Sequence, residues 1–230
     1  MIDIRGKKAV VIGGTGGIGV AVSDMLKLKG CEVLALGKSR GDIVFDVSLF
    51  FAEKTALNEK KKVLTAVEGA DILCVCYGPF VQKSLIDTSE EDWKNVALLD
   101  YALAGVLCST ALKGMTMRKY GRIILFGGTR TEQIRAYKTN AAYAGAKTAL
   151  GVLAKSIAAE YAKDGITCNV ILPGFVETEY LSQELRESLK NKTPTGTLIQ
   201  TATIAEAVSF LIDRKEINGA LLGIDDGWNP

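Results

Sequence analysis

Short apolar runs alternate with longer amphipathic segments along most of this chain. Residues 9–12 form an apolar run that ends in glycines, as is typical of a strand buried on both faces of a sheet. Residues 18–29 then repeat apolar side chains at helical spacing, and Gly30 follows as a residue type that commonly ends a helix. The same pattern predicts further strands at residues 32–36, 43–45, 71–77, 121–126, 166–172 and 220–224.

Capping residues mark where the other helices should begin. Ser48 can cap a helix that runs to about residue 67. Ser89 and Asp92 resemble a capping box, with Asp in place of the usual Glu, before a long helix that ends near residue 117. Further helices are predicted over residues 141–162 and from the pair Thr203 and Glu206 onwards.

Strands that alternate with amphipathic helices predict an α/β fold, a doubly wound parallel sheet of about seven strands with helices on both faces. We expect one Rossmann-type domain over residues 1–230, because we find no internal repeat, linker or low-complexity tract in the sequence. However, only residues 37–42 separate the second and third strands, whereas a parallel crossover usually needs a dozen or more. Either a bare loop replaces the usual helix, or the third strand is mostly extended loop.

Composition narrows the chemistry that is open to the chain. Its 230 residues are 48% hydrophobic with a net charge of +2, which favours a buried sheet over a nucleic-acid-binding or membrane-surface protein. The absence of histidine excludes His-based triads and His-ligated zinc, and we predict no metal site. The five cysteines form no C-x-x-C pair, so we interpret them as reduced thiols of a cytoplasmic protein. We find no apolar run that approaches the length of a membrane span.

A glycine-rich turn stands between the first strand and the first helix. This context is the one that a dinucleotide fingerprint requires, because the turn's backbone approaches a pyrophosphate at the positive end of the helix. The glycines of the fingerprint would be Gly13, Gly17 and Gly19, and a turn without a ligand is the alternative. We therefore predict a nucleotide-phosphate site along Gly13, Thr15, Gly16, Gly17, Ile18 and Gly19.

The residues after the second strand indicate which cofactor is preferred. An acidic side chain there bonds the ribose hydroxyls of NAD, whereas basic groups accept the extra phosphate of NADP. This chain has Lys38, Ser39 and Arg40, with no acid before Asp42, so NADPH is favoured over NADH. An ordinary exposed basic loop is the alternative. Asp46, after the third strand, could bond the adenine amino group or could cap the next helix.

Tyr143 and Lys147 lie four residues apart on a predicted helix and therefore share one face. A cation beside a phenol favours the phenolate, so we expect Lys147 to lower the pKa of Tyr143 from its usual value of about 10. Such a tyrosine can exchange a proton with an alcohol oxygen near neutral pH. The spacing is weak evidence alone, and the glycine-rich turn upstream strengthens it.

Taken in order, these motifs resemble those of the short-chain dehydrogenase/reductases over nearly the whole chain. Within that family, the sequence is most similar to 3-oxoacyl-acyl-carrier-protein reductases. The resemblance rests on Gly13-x-x-x-Gly17-Ile18-Gly19, Asp46-Val47-Ser48, residues 121–124, Tyr143-x-x-x-Lys147, Asn169-Val170 and residues 173–178.

The resemblance implies a mechanism and a set of binding residues. Tyr143 would protonate a substrate carbonyl oxygen while NADPH delivers hydride to the carbonyl carbon. Lys147 would hold the nicotinamide ribose, and the backbone of residues 173–176 with Thr178 would hold the nicotinamide amide and the pyrophosphate. The implied cofactor-binding set also includes Val47, Gly78, Pro173, Gly174 and Val176.

Three departures from the family pattern concern the catalytic site. The family serine falls on Gly128, and Thr129, one residue later, either replaces its hydroxyl or points elsewhere. The family asparagine falls on Asp100, which would pair with Lys147 and weaken the effect of that lysine on the tyrosine. If only the backbone carbonyl serves a proton relay there, the acid is tolerated. Residues 75–78 read Val-Cys-Tyr-Gly where the family has Asn-Asn-Ala-Gly.

The leading hypothesis is an NADPH-dependent reductase of a small-molecule carbonyl, with 3-oxoacyl thioesters as one substrate class. One alternative is a dihydropteridine-reductase-like enzyme, although the acidic residue that selects NADH in that branch is absent here. Another is a weakly catalytic dinucleotide sensor, which would have no reason to keep both Tyr143 and Lys147. The family resemblance also implies a homotetramer or homodimer built through the helices at residues 93–117 and 141–162, and a polar lid at about residues 179–200.

Overall fold

A seven-stranded parallel sheet forms the centre of the computed structural model, which describes residues 2–52 and 57–228. The order of the strands in this sheet is β3-β2-β1-β4-β5-β6-β9, and β7 pairs with β8 in a small second sheet. The strands of the described residues are β1 (Lys8–Ile12), β2 (Glu32–Gly37), β3 (Ile43–Val44), β4 (Ile72–Val75), β5 (Gly121–Phe126), β6 (Ile166–Pro173), β7 (Val176–Glu177), β8 (Ile199–Gln200) and β9 (Leu221–Ile224).

Helices cover both faces of the sheet, which confirms the predicted doubly wound α/β fold. The core on one face is shared with α2, α4 and α5, and the core on the other face with α1 and α7. A π-helical turn, Ala97–Ala102, joins α3 to α4. The helices are α1 (Gly17–Leu28), α2 (Leu57–Glu68), α3 (Glu90–Val96), α4 (Leu103–Arg118), α5 (Ala141–Tyr161), α6 (Gln183–Lys190) and α7 (Thr201–Ile212).

The interior strand β1 shows why a strand of this sheet has a continuous apolar sequence. Val10 and Ile12 enter the core beneath α2, α4 and α5, whereas Ala9 and Val11 enter the opposite core. Side chains alternate between the two faces of a strand, and here neither face meets water. All four residues are at most 1% exposed. The continuous apolar run in the sequence thus reflects burial of both faces of β1.

The strand order places a crevice beside β1. This strand pairs with β2 on one side and with β4 on the other, so the connections run outwards in opposite directions from that point. In open parallel sheets, ligands bind at such a switch point, outside the carboxyl ends of the strands. The glycine-rich turn follows β1 and Gly78 follows β4, which brings both to the crevice.

A buried asparagine joins β6 to the C-terminal segment. The Asn169 side chain is fully buried; its amide donates to the Ile217 carbonyl and its oxygen accepts from the Ala220 N–H, each at 2.9 Å. Beyond it, the Gly174 N–H donates to the Ile224 carbonyl at 2.8 Å. The end of β6 is therefore held in place by β9 and the residues that precede it.

The structure corrects two predicted elements in the first half. Ser48 does not cap α2, because its hydroxyl and N–H both bind the Asp46 carboxylate, which caps a 3₁₀ turn at Val47–Leu49. The described part of α2 begins at Leu57, and residues 53–56 of the predicted helix lie outside the described residues. Between β2 and β3 there is a bare loop, and β3 has only two residues, so each of the two alternatives holds in part.

Later elements are closer to the prediction. The capping box of Ser89 and Asp92 is confirmed, with both reciprocal hydrogen bonds present. The π-helical turn that interrupts the long helix and the helix α6 were both missed. The helix α7 begins at Thr201 with Gln200 at its cap position, so the predicted opening at Thr203 is two residues late.

The stretch Glu90–Arg118 is long and apolar enough, by length and composition alone, to cross a membrane. The prediction that no run approaches this length is therefore wrong. A buried helix of a globular core has the same signature. Leu107, Ala111 and Met115 are fully buried against the sheet, so core packing explains the apolar character of the buried side of this helix.

Candidate active site

A cleft of about 240 Å³ lies at the carboxyl ends of the central strands. It gathers residues that follow β1, β4, β5 and β6, together with two side chains from α5. The predicted site residues among its lining are Ile18, Gly78, Tyr143, Lys147, Pro173, Gly174 and Val176. Cys76, Tyr77, Phe126 and Gly127 also line it.

The glycine-rich turn has the local geometry that its sequence predicts. Gly13 adopts a left-handed φ of +73°, and a Cβ at this position would lie 2.8 Å from the Cys76 carbonyl oxygen. A Cβ at Gly19 would overlap the Gly13 carbonyl oxygen. Only glycine fits these two positions, because the start of α1 packs directly on the turn. The strand, turn and helix context required for a dinucleotide site is therefore confirmed.

An anionic side chain from a distant segment binds the N-terminus of α1. The Glu179 carboxylate accepts a hydrogen bond from the Gly17 N–H, with 2.9 Å between Oε1 and the nitrogen. Free N–H groups at a helix N-terminus favour negative charge, so the turn has the donors that a phosphate group needs. The contact of Glu179 with Gly17 was not predicted, because the two residues are 162 positions apart in the sequence and no local pattern relates them.

Two cations lie at the rim of the glycine-rich turn. The Arg40 guanidinium donates to the Thr15 carbonyl oxygen at 2.7 Å. Lys38 pairs with Asp46 at 2.9 Å, and both cationic side chains remain exposed. Asp42 is turned away from a ribose-binding role, because its carboxylate accepts from the N–H of Ala35 on β2.

Asp46 adopts the second of its two predicted roles. One carboxylate oxygen accepts from the Ser48 hydroxyl at 2.6 Å, and the other pairs with Lys38. The hydrogen bond from Ser48 is the larger cause of the lowered pKa of Asp46, and Lys38 adds to it. A bond from Asp46 to adenine stays a prediction, as does a cofactor role for the buried Val47 beside it.

Lys147 and Asp100 form a buried ion pair at the wall of the cleft. Lys147 Nζ lies 2.9 Å from Asp100 Oδ1 and donates to the Phe126 carbonyl oxygen at 3.0 Å. The side chains are 6% and 0% exposed, so neither charge has access to bulk water. Burial raises the pKa of Asp100, and the lysine opposes that rise. The predicted pairing of Asp100 with Lys147 is confirmed.

Two backbone features hold this ion pair in position. The π-helical turn Ala97–Ala102 carries Asp100 and packs against α5, which carries Lys147. The backbone of Gly78 lies against the pair. A Cβ at Gly78 would be 2.7 Å from the ammonium and would overlap the carboxylate. Gly78 therefore acts as a spacer, and any side chain at this position would displace one of the two charges.

Tyr143 is half-buried beside this pair. Its ring packs edge-to-face against Phe80, with 4.9 Å between ring centroids, and Lys147 Nζ lies 5.6 Å from the ring centre. Burial raises the pKa of Tyr143, and the negative charge of Asp100 raises it further. The prediction that the pKa of Tyr143 is lowered is wrong for this structure, because burial of the phenol is the largest cause of the shift and Asp100 adds to it.

Gly128, rather than a hydroxyl-bearing residue, lies against Tyr143. A Cβ at Gly128 would be 3.0 Å from the Tyr143 ring edge and 3.4 Å from the phenol oxygen. The Thr129 hydroxyl instead donates to the Pro173 carbonyl at 2.7 Å, so it adopts the second of its two predicted orientations. Thr131 closes the turn by donating to the Gly128 carbonyl at 2.8 Å.

Several known proteins are similar to this chain over most or nearly all of its length. A family model described as Enoyl-(Acyl carrier protein) reductase matches residues 35–229. The 3-oxoacyl-[acyl-carrier-protein] reductase FabG of Vibrio cholerae is 31% identical over 242 residues, covering 98% of each chain. Its counterpart in Rickettsia bellii is 30% identical over 240 residues, covering 99% of this chain and 98% of that protein. A solved short chain dehydrogenase/reductase family protein has a TM-score of 0.84 at 23% identity, covering 98% of each chain.

Proposed function

The chain belongs to the short-chain dehydrogenase/reductase family and is thus an oxidoreductase of the C=O/CH–OH class, and we propose that it reduces a carbonyl with NADPH. One observation carries the proposal. Tyr143 and Lys147 line the same cleft as Ile18 of the glycine-rich turn and the Pro173–Gly174 backbone. A proton donor and a nucleotide turn therefore meet in one cleft. The names of the curated relatives favour a 3-oxoacyl thioester as the substrate.

The residues around the cleft fit a nicotinamide dinucleotide. The glycine-rich turn packs closely against neighbouring backbone. The N–H of Gly17, the first residue of α1, already binds the Glu179 carboxylate. When bound, the cofactor supplies the hydride that reduces the carbonyl carbon. We assign the pyrophosphate to Gly13, Thr15, Gly16, Gly17, Ile18 and Gly19, the 2′-phosphate to Lys38, Ser39 and Arg40, and the adenine end to Asp46 and Val47. The nicotinamide half falls to Gly78, Lys147, Pro173, Gly174, Val176 and Thr178.

Tyr143 is the proton donor in this proposal. Its raised pKa keeps the phenol protonated at neutral pH, as an acid requires. An alkoxide is a far stronger base than a phenolate, so the proton moves from the phenol oxygen to the carbonyl oxygen as the alkoxide forms. Lys147 is the nearest cation on the same helix, and its positive charge stabilises the negative charge that the transfer leaves on Tyr143.

Asp100 disfavours the ionised form of Tyr143. The Asp100 carboxylate neutralises the charge of Lys147 and disfavours the phenolate form of Tyr143, so the phenol stays protonated. Oxidation of an alcohol needs the phenolate as a base, which the same charge opposes. We therefore regard Asp100 as a positioning residue that shifts the pH range in which Tyr143 can act as a base.

The experiment that tests the function is NADPH consumption with a panel of carbonyl compounds. The panel contains acetoacetyl thioesters and quinonoid dihydropterin, so that both enzyme hypotheses are measured together. Turnover of the thioesters supports the proposal. Turnover of the pterin alone would replace it with the dihydropteridine-reductase alternative, and NADPH binding without turnover of any compound would favour the sensor.

Removing both rim cations should reduce the preference for NADPH. In Lys38→Ala with Arg40→Ala, we expect the ratio of NADPH to NADH affinity to fall about 10- to 100-fold, because charged hydrogen bonds to the 2′-phosphate are lost. The matched control is Lys61→Ala with Lys62→Ala, which removes the same charge from exposed positions on α2. A preference that survives in the first variant would mean that the phosphate is recognised elsewhere.

Adding the family hydroxyl at Gly128 should increase turnover. The Cβ position there lies 3.4 Å from the Tyr143 phenol oxygen, so a serine hydroxyl comes within reach of that phenol and of the oxygen it protonates. We expect Gly128→Ser to raise kcat by about threefold to tenfold through this added hydrogen bond. Gly128→Ala carries the same crowding without the hydroxyl. If both variants behave alike, the missing hydroxyl does not limit the rate.

We also propose that the protein is a cytoplasmic homodimer or homotetramer. All five cysteines are free in the structure, which suits a reducing compartment. The helices α3–α4 and α5 leave apolar side chains on the surface, which suits association through these helices. The exposed residues are Trp93, Tyr101, Val106, Met117 and Val152.

A further inference from the structure

The segment that follows β7 places two side chains over the start of α1. Glu179 accepts the hydrogen bond from the Gly17 N–H at 2.9 Å. Tyr180 packs beside it: a Cβ at Gly16 would overlap the Tyr180 hydroxyl, and one at Gly17 would lie 3.2 Å from the Tyr180 ring. The two residues thus cover the part of the turn where a pyrophosphate would approach.

Glu179 brings a full negative charge to this position. The hydrogen bond from Gly17 lowers the pKa of Glu179, and Arg40 acts in the same direction, so the carboxylate is ionised at neutral pH. The N–H groups of a first helical turn have no partner within the helix and carry the positive end of its dipole. A carboxylate at Gly17 therefore satisfies the same donor that a phosphate oxygen would use.

We propose that Glu179 is a built-in competitor for the cofactor pyrophosphate, so that a dinucleotide binds fully only after Glu179 has left Gly17. This inference rests on the proposed function, which assigns the glycine-rich turn to the pyrophosphate. One N–H cannot serve a carboxylate and a phosphate in the same place, and the two anions repel each other at that distance. The cost of releasing Glu179 is subtracted from the affinity for the cofactor.

The surrounding segment allows Glu179 to move without unfolding. On one side, Val176 and Glu177 of β7 pair with β8, and Glu177 also accepts a hydrogen bond from Arg186 at 2.7 Å. On the other side, Ser182 caps α6. Glu179 and Tyr180 lie between these anchors and are themselves exposed, so their displacement uncovers little apolar surface. In this proposal, the dinucleotide displaces Glu179 from Gly17 while the anchors on both sides stay in place.

The test compares NADPH affinity, measured by calorimetry, in the wild-type protein and in Glu179→Ala. Removing one charged hydrogen bond from the competing state should tighten NADPH binding on the order of threefold to tenfold. Glu184→Ala is the matched control, because it removes an exposed carboxylate from the first turn of α6, and its affinity should equal that of the wild type. In the absence of NADPH, the Gly17 amide should exchange its hydrogen faster in Glu179→Ala, because its acceptor is gone.

Each outcome of this comparison decides the inference. Tighter binding in Glu179→Ala together with faster exchange at Gly17 supports it. Unchanged or weaker binding in that variant, while the wild type binds NADPH, overturns the competitor role and leaves the proposed function standing. Failure of both proteins to bind NADPH overturns the proposed function and the inference with it. Unchanged exchange at Gly17 overturns the contact on which the inference is built.

Discussion

Tyr143→Phe should lower the rate of carbonyl reduction by about 100- to 10,000-fold while NADPH affinity stays nearly unchanged. The substitution removes one oxygen atom, the proposed proton donor, and keeps the ring that packs edge-to-face against Phe80 at 4.9 Å between centroids. Lys147 and Asp100 retain their ion pair, because neither depends on the phenol for a partner. A steady-state assay with the best substrate of the carbonyl panel measures the loss, and calorimetry with NADPH measures the affinity.

The matched control for this prediction is Tyr161→Phe. Tyr161 is the last residue of the same helix α5, about 27 Å along its axis from Tyr143. Its loss of a hydroxyl should leave kcat within a factor of two of the wild-type value. A Tyr143→Phe enzyme that kept full activity would remove Tyr143 from the mechanism and would require another donor in the cleft.

Lys147→Met should lower both the stability of the protein and its activity, with a larger loss of stability than we expect from the other substitutions proposed at the site. Methionine is close to lysine in shape but leaves the Asp100 carboxylate buried without its counter-ion. Loss of one partner of a buried pair typically costs about 3–5 kcal/mol of unfolding free energy. The side chains are 6% and 0% exposed, so water cannot compensate for the lost partner. Urea unfolding measures the change in stability, and the carbonyl assay measures the change in rate.

A double substitution separates the two consequences. In Lys147→Met with Asp100→Asn, the buried charge is absent, so we expect most of the stability to return. Turnover should stay low, because no cation remains beside the phenolate that forms on Tyr143. Recovery of turnover in the double variant would show that Lys147 acts only by neutralising Asp100, which would contradict the proposed mechanism.

Asp100→Asn alone should lower the pKa of the Tyr143 phenol. Asp100 raises the pKa of Tyr143, so removing its charge should lower that pKa. Alcohol oxidation needs the deprotonated tyrosine and rises with pH as the phenol ionises, so its pH profile should shift to lower pH in the variant. An unshifted profile would mean that Asp100 has no electrostatic effect on Tyr143.

Local requirements explain which parts of the site could be predicted from sequence. Gly13 and Gly19 were identified because a tight turn between a strand and a helix admits no side chain there. Tyr143 and Lys147 were identified by their helical spacing, and the pairing of Lys147 with Asp100 by the family resemblance. Each of these features is recognised either from a few neighbouring residues or from the order of known family motifs along the chain.

The missed features depend on tertiary contacts. Glu179 reaches Gly17 across 162 positions of sequence, and no local pattern records that distance. The π-helical turn around Asp100 has ordinary helix-forming neighbours, so it appeared as an unbroken helix. The direction of the pKa shift of Tyr143 was wrong because the burial of its ring, the largest cause, is set by the assembled cleft rather than by Lys147 alone.

The hydrogen bonds that fasten the end of β6 also determine when the site can exist during synthesis. The cleft wall at Gly174 is held by the Ile224 carbonyl, and the buried Asn169 finds its partners only at Ile217 and Ala220. A ribosome-bound chain that has been synthesised past Tyr143 and Lys147 therefore carries both side chains before the residues that hold the opposite wall of the cleft have been made. The proposed active site therefore needs β9, and we expect a product that terminates before β9 to lack this wall of the cleft.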